Sequence, residues 1–144
     1  MAMIKCDVVA KDKVLYSGEL YSVQVKGTEG ELGILANHEP FVSALADGVI
    51  WARVAPDSDK TLSAAIMGGY VQVLGERVIV LCDKTREIKQ INADRLRNAI
   101  PWLEDQIANL REGSVISRSY LTRKLRWCKL QLEVKENEDK YTHH

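Results

Sequence analysis

Gly30-Glu31-Leu32-Gly33-Ile34-Leu35-Ala36-Asn37-His38-Glu39-Pro40 is the stretch that decides how this chain folds. Two glycines frame the edge of a hairpin, a short apolar strand follows, and a His and a Pro close the next turn. A second glycine-marked segment, Ile66-Met67-Gly68-Gly69-Tyr70-Val71-Gln72-Val73, repeats the pattern of apolar strand, turn and strand. Neither segment carries a nucleophile, a phosphate cradle or a metal-ligand spacing.

Around these segments, up to Gln90, the hydrophobic period is two. Tyr21, Val23 and Val25 alternate with Ser22, Gln24 and Lys26; Leu62, Ala64 and Ile66 and then Val78, Val80 and Cys82 do the same. Such alternation sets one face on a core and one towards water. The breaks carry turn residues: Lys11-Asp12-Lys13, Gly27-Thr28-Glu29-Gly30, Asp47-Gly48, Pro56-Asp57-Ser58-Asp59, Gly68-Gly69 and Gly75-Glu76. Asp-Gly supplies the positive φ of a tight turn. Many short strands at this spacing predict an all-β sandwich or barrel.

After Gln90 the period becomes helical. Leu96, Ile100, Leu103, Ile107 and Leu110 line one stripe, and Leu121, Leu125, Cys128 and Leu132 line another. Arg111-Glu112-Gly113-Ser114 is a stop and restart, with Gly113 suited to the left-handed position after a helix and Ser114 or Ser117 to a cap. Two amphipathic helices joined this tightly form an antiparallel hairpin. Pro101 either kinks the first helix or marks where its regular part begins. A hairpin this short cannot cover both stripes itself, so it needs the β domain or another protein to pack on. The expected organisation is a β-sandwich over residues 1–90, a helical hairpin over 91–136 and a disordered tail over 137–144. The terminal Thr142-His143-His144 resembles the start of a purification tag.

The chain has 144 residues and no net charge, with 20 basic and 20 acidic side chains. Residues 1–90 carry 10 basic and 12 acidic groups; residues 91–144 carry 10 and 8. Arg118, Arg123, Lys124, Arg126 and Lys129 fall between residues 114 and 132 with no acid among them. A local excess of this kind favours an acidic partner. The 3 cysteines are widely spaced, which favours neither a zinc site nor a disulfide framework and suits reduced thiols. The longest uncharged run, Thr61 to Gly75, is 15 residues and is broken by glycines, too short for a membrane span. No signal-peptide core opens the chain.

Catalytic constellations are not found. There is no P-loop and no nucleophile elbow, and Glu29 would repel phosphate from the Gly27–Gly30 turn. His38 is the one histidine inside the chain, without a nucleophile or an orienting acid beside it. No catalytic residue, metal site or cofactor is expected. Aromatic residues make up only 6% of the chain and do not interleave with basic ones in the β half, which argues against stacking on nucleic acid. The rival to an assembly subunit is a free-standing β-barrel module gripping nucleic acid through the basic helix, with Tyr120 and Trp127 beside the charges.

The motifs and their order resemble the epsilon subunit family of F-type ATP synthase. The resemblance runs from Asp7-Val8-Val9-Ala10 and Tyr16-Ser17-Gly18 through Gly30–Leu35 and His38-Glu39-Pro40. It continues over Ala46-Asp47-Gly48-Val49, Gly68–Val73 and Val78–Leu81. It is close over residues 1–90 and mainly architectural beyond. It implies a ten-stranded β-sandwich followed by a two-helix hairpin, in a non-catalytic subunit of the central stalk. That subunit couples ion flow to ATP synthesis at the cytoplasmic face of a bacterial membrane, which it meets only through the complex. It implies a gamma-subunit interface at His38, Pro40, Phe41 and Ser43, and a c-ring interface at Glu29, Gly30 and Glu31. It further implies that the hairpin can extend into the catalytic head and block ATP hydrolysis. Arg118, Arg123, Lys124, Arg126 and Lys129 would then meet the alpha and beta subunits, on an acidic segment of beta. Some members bind ATP through I/L-D-x-x-R-A; the matching Ile91-Asn92-Ala93-Asp94-Arg95-Leu96 keeps Arg95 but has Asn for Asp and Leu for Ala. Asn92 suits a helix cap and Leu96 would crowd a nucleotide, so ATP as a regulatory ligand at Ile91, Asn92 and Arg95 is disfavoured.

Overall fold

A computed structural model describes residues 3–11, 13–36, 38–57 and 61–142. Ten strands come first: β1 (Ile4–Ala10), β2 (Lys13–Leu20), β3 (Ser22–Gly27), β4 (Gly30–Leu35), β5 (Phe41–Ala44), β6 (Gly48–Arg53), β7 (Thr61–Met67), β8 (Tyr70–Leu74), β9 (Arg77–Cys82) and β10 (Lys84–Glu87). A 3-10 turn at Ile88–Gln90 leads to helices α1 (Ala93–Ala108) and α2 (Val115–Glu136) and a single turn, α3 (Asp139–Thr142). The strands form two five-stranded sheets, β2-β1-β9-β8-β5 and β10-β7-β6-β3-β4. Among the described residues, only β1 and β9 pair in parallel. The expected sandwich of about ten strands with two C-terminal helices is what the chain forms.

Alternation explains the core between the sheets. Ile4, Cys6 and Val8 of β1, Val23 and Val25 of β3, Val71 and Val73 of β8, and Val78 and Val80 of β9 all point inward and are buried. β7 breaks the rule, since Ala64, Ala65, Ile66 and Met67 are all buried. Its second face lies under the helices, so both sides of the strand are apolar. Ala65 and Met67 join Ile88, Ile91, Leu96, Leu103, Trp127, Cys128 and Val134 in a second hydrophobic cluster. The hairpin therefore packs on the outer face of the β10-β7-β6-β3-β4 sheet.

Several local expectations change. Gly48 begins β6 without a positive φ, because Asp47-Gly48 lies where the chain crosses from one sheet to the other and makes no two-residue hairpin. Asn109 caps α1, and Gly113 takes its positive φ, +92°, four residues later in the connecting loop. Ser114 occupies the N-cap of α2 but makes no side-chain capping bond. α1 continues through Pro101, which occupies an exposed position, so the helix begins before the proline. Trp127, read as available to nucleic acid, is buried in the second cluster. Residues Asp139–Thr142, expected to be a disordered tail, form α3, where partly buried Tyr141 packs on the second cluster and its carbonyl accepts a 3.1 Å hydrogen bond from Ser63 Oγ. Asp12, Asn37, Ser58, Asp59 and the two terminal histidines lie outside the described residues, so parts of two expected turns and of the tail do too.

Candidate partner-binding surfaces

Both faces of β9 are apolar along Val78-Ile79-Val80-Leu81-Cys82. Val78, Val80 and Cys82 fill the core, so Ile79 and Leu81 must point outward. The register extends this outer face across the whole sheet. Ala44 of β5 pairs with Tyr70 of β8, Tyr70 with Leu81 of β9, Leu81 with Val9 of β1, and Val9 with Val14 of β2. These residues form one apolar row across five strands. Tyr70 is 60% exposed, Leu81 50% and Val14 62%, and Val42 of β5 stands beside the row at 65%. Contiguous apolar surface of this kind marks a place where another molecule binds. Asp7 stands on the same face. Its carboxylate accepts from Ser17 Oγ at 2.6 Å and Arg77 Nη2 at 2.9 Å, and those two hydrogen bonds hold it below the usual carboxylate range.

Of the residues predicted for the gamma contact, all four lie at or in β5, an edge strand. His38 and Phe41 rings sit 5.0 Å apart, and His38 Nδ1 lies 2.9 Å from the Glu39 carbonyl. Pro40 is exposed. Phe41 and Ser43, however, oppose the buried Val73 and Val71 and are themselves half-buried. The strand's outward residues are Val42 and Ala44. Glu29, Gly30 and Glu31 are exposed at the β3–β4 turn, where Gly30 takes φ +134°. That turn is tied to the end of β5 by Thr28 N–H donating to the Ala44 carbonyl at 3.2 Å. The two predicted contact regions are thus neighbours.

The basic residues of α2 divide into two groups. Arg126 donates through two nitrogens to Asp47, at 2.6 and 2.7 Å, and Arg123 Nη2 lies 3.2 Å from Asp83 Oδ2. Lys129 reaches Glu104 of α1 at 3.9 Å. These three therefore hold the hairpin down or together. Arg118 and Lys124 are exposed, with Lys124 over the Tyr120 ring at 6.0 Å. Asp47 and Asp83 gave no sequence signal as partners of the helix, since each sits in an ordinary turn; only the i, i+3 spacing of Arg123 and Arg126 showed that both face one side. Among the predicted nucleotide residues, Ile91 is buried in the second cluster. Asn92 caps α1 by accepting from Arg95 N–H at 3.1 Å, and the Arg95 side chain is exposed. No group of His, Cys, Asp and Glu among the described residues could hold a metal ion. No described helix is long and apolar enough to cross a membrane.

A sandwich with one face open along an apolar row, and a helical hairpin docked by ion pairs on the other, is the build of a subunit in a larger assembly. Residues 3–88 match the family model described as the ATP synthase delta/epsilon chain, beta-sandwich domain. An ATP synthase epsilon chain 2 from Ralstonia nicotianae is 36% identical over 102 residues, covering 69% of this chain and 72% of that one. The epsilon chain of Desulforamulus reducens is 35% identical over 103 residues, covering 72% and 76%. The chain belongs to the delta/epsilon chain family of ATP synthase, in company with bacterial epsilon chains. In fold it is similar to a chain of the Euglena gracilis mitochondrial ATP synthase, with a TM-score of 0.66 at 20% identity over 99% of this chain and 83% of that one. It is also similar to a chain of the Tetrahymena thermophila mitochondrial ATP synthase central stalk and c-ring, with a TM-score of 0.56 at 13% identity, covering 92% and 96%. None of these relatives supports the free-standing nucleic-acid module, and Arg123 and Arg126 are engaged by the sandwich.

Proposed function

We propose that the chain is a non-catalytic rotor subunit of the ATP synthase central stalk, at the cytoplasmic face of a bacterial membrane. It couples ion flow to ATP synthesis and restrains ATP hydrolysis through its hairpin. The apolar row from Ala44 to Val14, open across an entire sheet, is the observation that carries this reading. It gives the gamma subunit a flat apolar surface to bury, with His38 and Pro40 at its β5 edge. Glu29, Gly30 and Glu31 at the adjoining turn face the polar loops of the c-ring. Replacing Val42 and Leu81 with Glu buries two charges at that joint. The doubly substituted chain is expected to fold and to lose co-purification with gamma; undiminished recovery would remove the face from the interface.

The hairpin is docked in this conformation, with Arg123 and Arg126 turned to the sandwich. Extension into the head would free them to meet the alpha and beta subunits along with Arg118, Lys124 and Lys129. Arg118 and Lys124 separate the two roles, since neither forms an ion pair with the sandwich among the described residues. Their replacement with Ala is expected to raise ATP hydrolysis by the assembled complex without disturbing docking. Unchanged hydrolysis would take these two out of the inhibitory contact. ATP binding at Ile91, Asn92 and Arg95 is disfavoured, because burial and capping already occupy the first two.

A further inference from the structure

The chain changes sheets five times, and three of these crossovers, at β5–β6, at β7–β8 and at β9–β10, lie at the same end of the sandwich. The register shows this: Gly48, which opens β6, pairs with Ile66 near the end of β7, and Lys84, which opens β10, pairs with Met67. The crossovers are bonded to one another. Leu45 N–H donates to the Gly69 carbonyl at 2.8 Å, Gly68 N–H to Asp47 Oδ1 at 3.0 Å, and Asp83 N–H to the Met67 carbonyl at 3.0 Å. The middle one has no slack. A Cβ on Gly69 would lie 1.8 Å from the Leu81 carbonyl oxygen, at φ +112°.

Two arginines one turn apart on α2 land on this seam. Arg126 grips Asp47 with two bonds, on the same carboxylate that receives Gly68 N–H, and Arg123 reaches Asp83. We infer that Arg123 and Arg126 are positioning residues that couple docking of the hairpin to the rigidity of the three crossovers. They thereby set the order of β5 and the β3–β4 turn, which hang from the β5–β6 crossover. The connection to those elements is direct: Ala46 N–H donates to the Lys26 carbonyl at 2.9 Å, and Leu45 bridges Gly27. On the reading given above, this end carries the rotor contacts, so whatever orders it favours the docked hairpin, and the reverse, because coupling between two sites is reciprocal.

The test is amide hydrogen exchange, followed by NMR, on the full chain without partners, so it does not depend on whether gamma binds β5. Arg126→Gln removes the grip from an exposed position and leaves the sandwich core untouched. The Leu45 and Gly68 amides are expected to exchange about two- to fivefold faster, the range of a half-exposed ion pair, while Val23 and Val80 amides in the core keep their rates. Arg123→Gln is expected to do the same at Asp83. Faster exchange confined to α2, or no change at either variant, would overturn the coupling.

Discussion

The cluster between the two sheets and the cluster under the hairpin are both hydrophobic, yet they hold in different ways. The first is a continuous set of buried apolar residues drawn mainly from eight strands, enclosed between two hydrogen-bonded sheets. The second contains Ala65 and Met67 from the sheet, Ile88 and Ile91 from the connection, and five side chains from the helices. Half-exposed ion pairs border it, such as Arg126–Asp47 and Arg123–Asp83, each individually worth only ~0.2–1 kcal/mol. The sandwich must unfold to lose its core, whereas the proposed function requires the hairpin to lift as a unit. A joint built from one small cluster and screened charges suits a part that moves.

The largest effects should separate the two clusters. Ile50→Ala empties a fully buried site between the sheets and is expected to cost ~2–5 kcal/mol of global stability in urea unfolding. A loss below about 1 kcal/mol would show that the sheets are not the stability core. Trp127→Ala should act on the other joint, leaving the sandwich transition in place and releasing α2. The cysteines report this without added probes. Burial pushes the Cys128 thiol up from its ordinary value, and Cys6, deep between the sheets, is pushed up to about 12. Alkylation of Cys128 is expected to accelerate in Trp127→Ala by on the order of tenfold or more, with Cys6 still unreactive. Parallel acceleration at both would show that the clusters are one cooperative unit.

Smaller effects should come from the charged rim. Two hydrogen bonds from Arg126, before any other cause, hold the Asp47 carboxyl below the usual carboxylate range. Lifting the hairpin removes the Arg126 bonds and raises Asp47 towards the ordinary range, although Gly68 N–H still holds it, so the lifted state binds more protons over that interval. Docking is therefore complete at neutral pH and weakens as pH falls through the lowered value. Cys128 accessibility, read in acid by a thiol reagent active there, should rise in the native chain and stay flat in Asp47→Asn. The smallest effect should be that of salt. Raising ionic strength from ~0.05 to ~0.5 M is expected to speed Cys128 alkylation less than about threefold, because apolar contacts carry most of the joint.

Much of this contrast was legible in the residues. The switch of period at Gln90 reported two architectures, and alternation along β3, β7 and β9 named Val23, Val25, Leu62, Ala64, Ile66, Val78, Val80 and Cys82 of the inner core. That Phe41 and Ser43 turn towards the core and Val42 and Ala44 outward was not legible, because a four-residue strand offers too few alternations to show which face is buried. The outer row escaped notice because its members are scattered from Val9 to Leu81 and only the register assembles them. One local sign was present, the unbroken run Val78 to Cys82, which has no polar face to give to water. The α2 stripe through Leu121, Leu125, Cys128 and Leu132 missed Trp127 and Val134, whose seven-residue spacing marks the side turned to β7. Asp47 and Asp83 were invisible as anchors, because pairing across 79 and 40 positions leaves no trace in local sequence.

The central claim is that the sandwich alone makes the rotor joint while the hairpin is a separable regulator. Co-purification of gamma with the chain truncated after Gln90 tests it most directly. Gamma recovered in full, with a truncated chain that still unfolds cooperatively, is the predicted result. Loss of gamma from a truncated chain that remains folded would contradict it and place the joint on the helices.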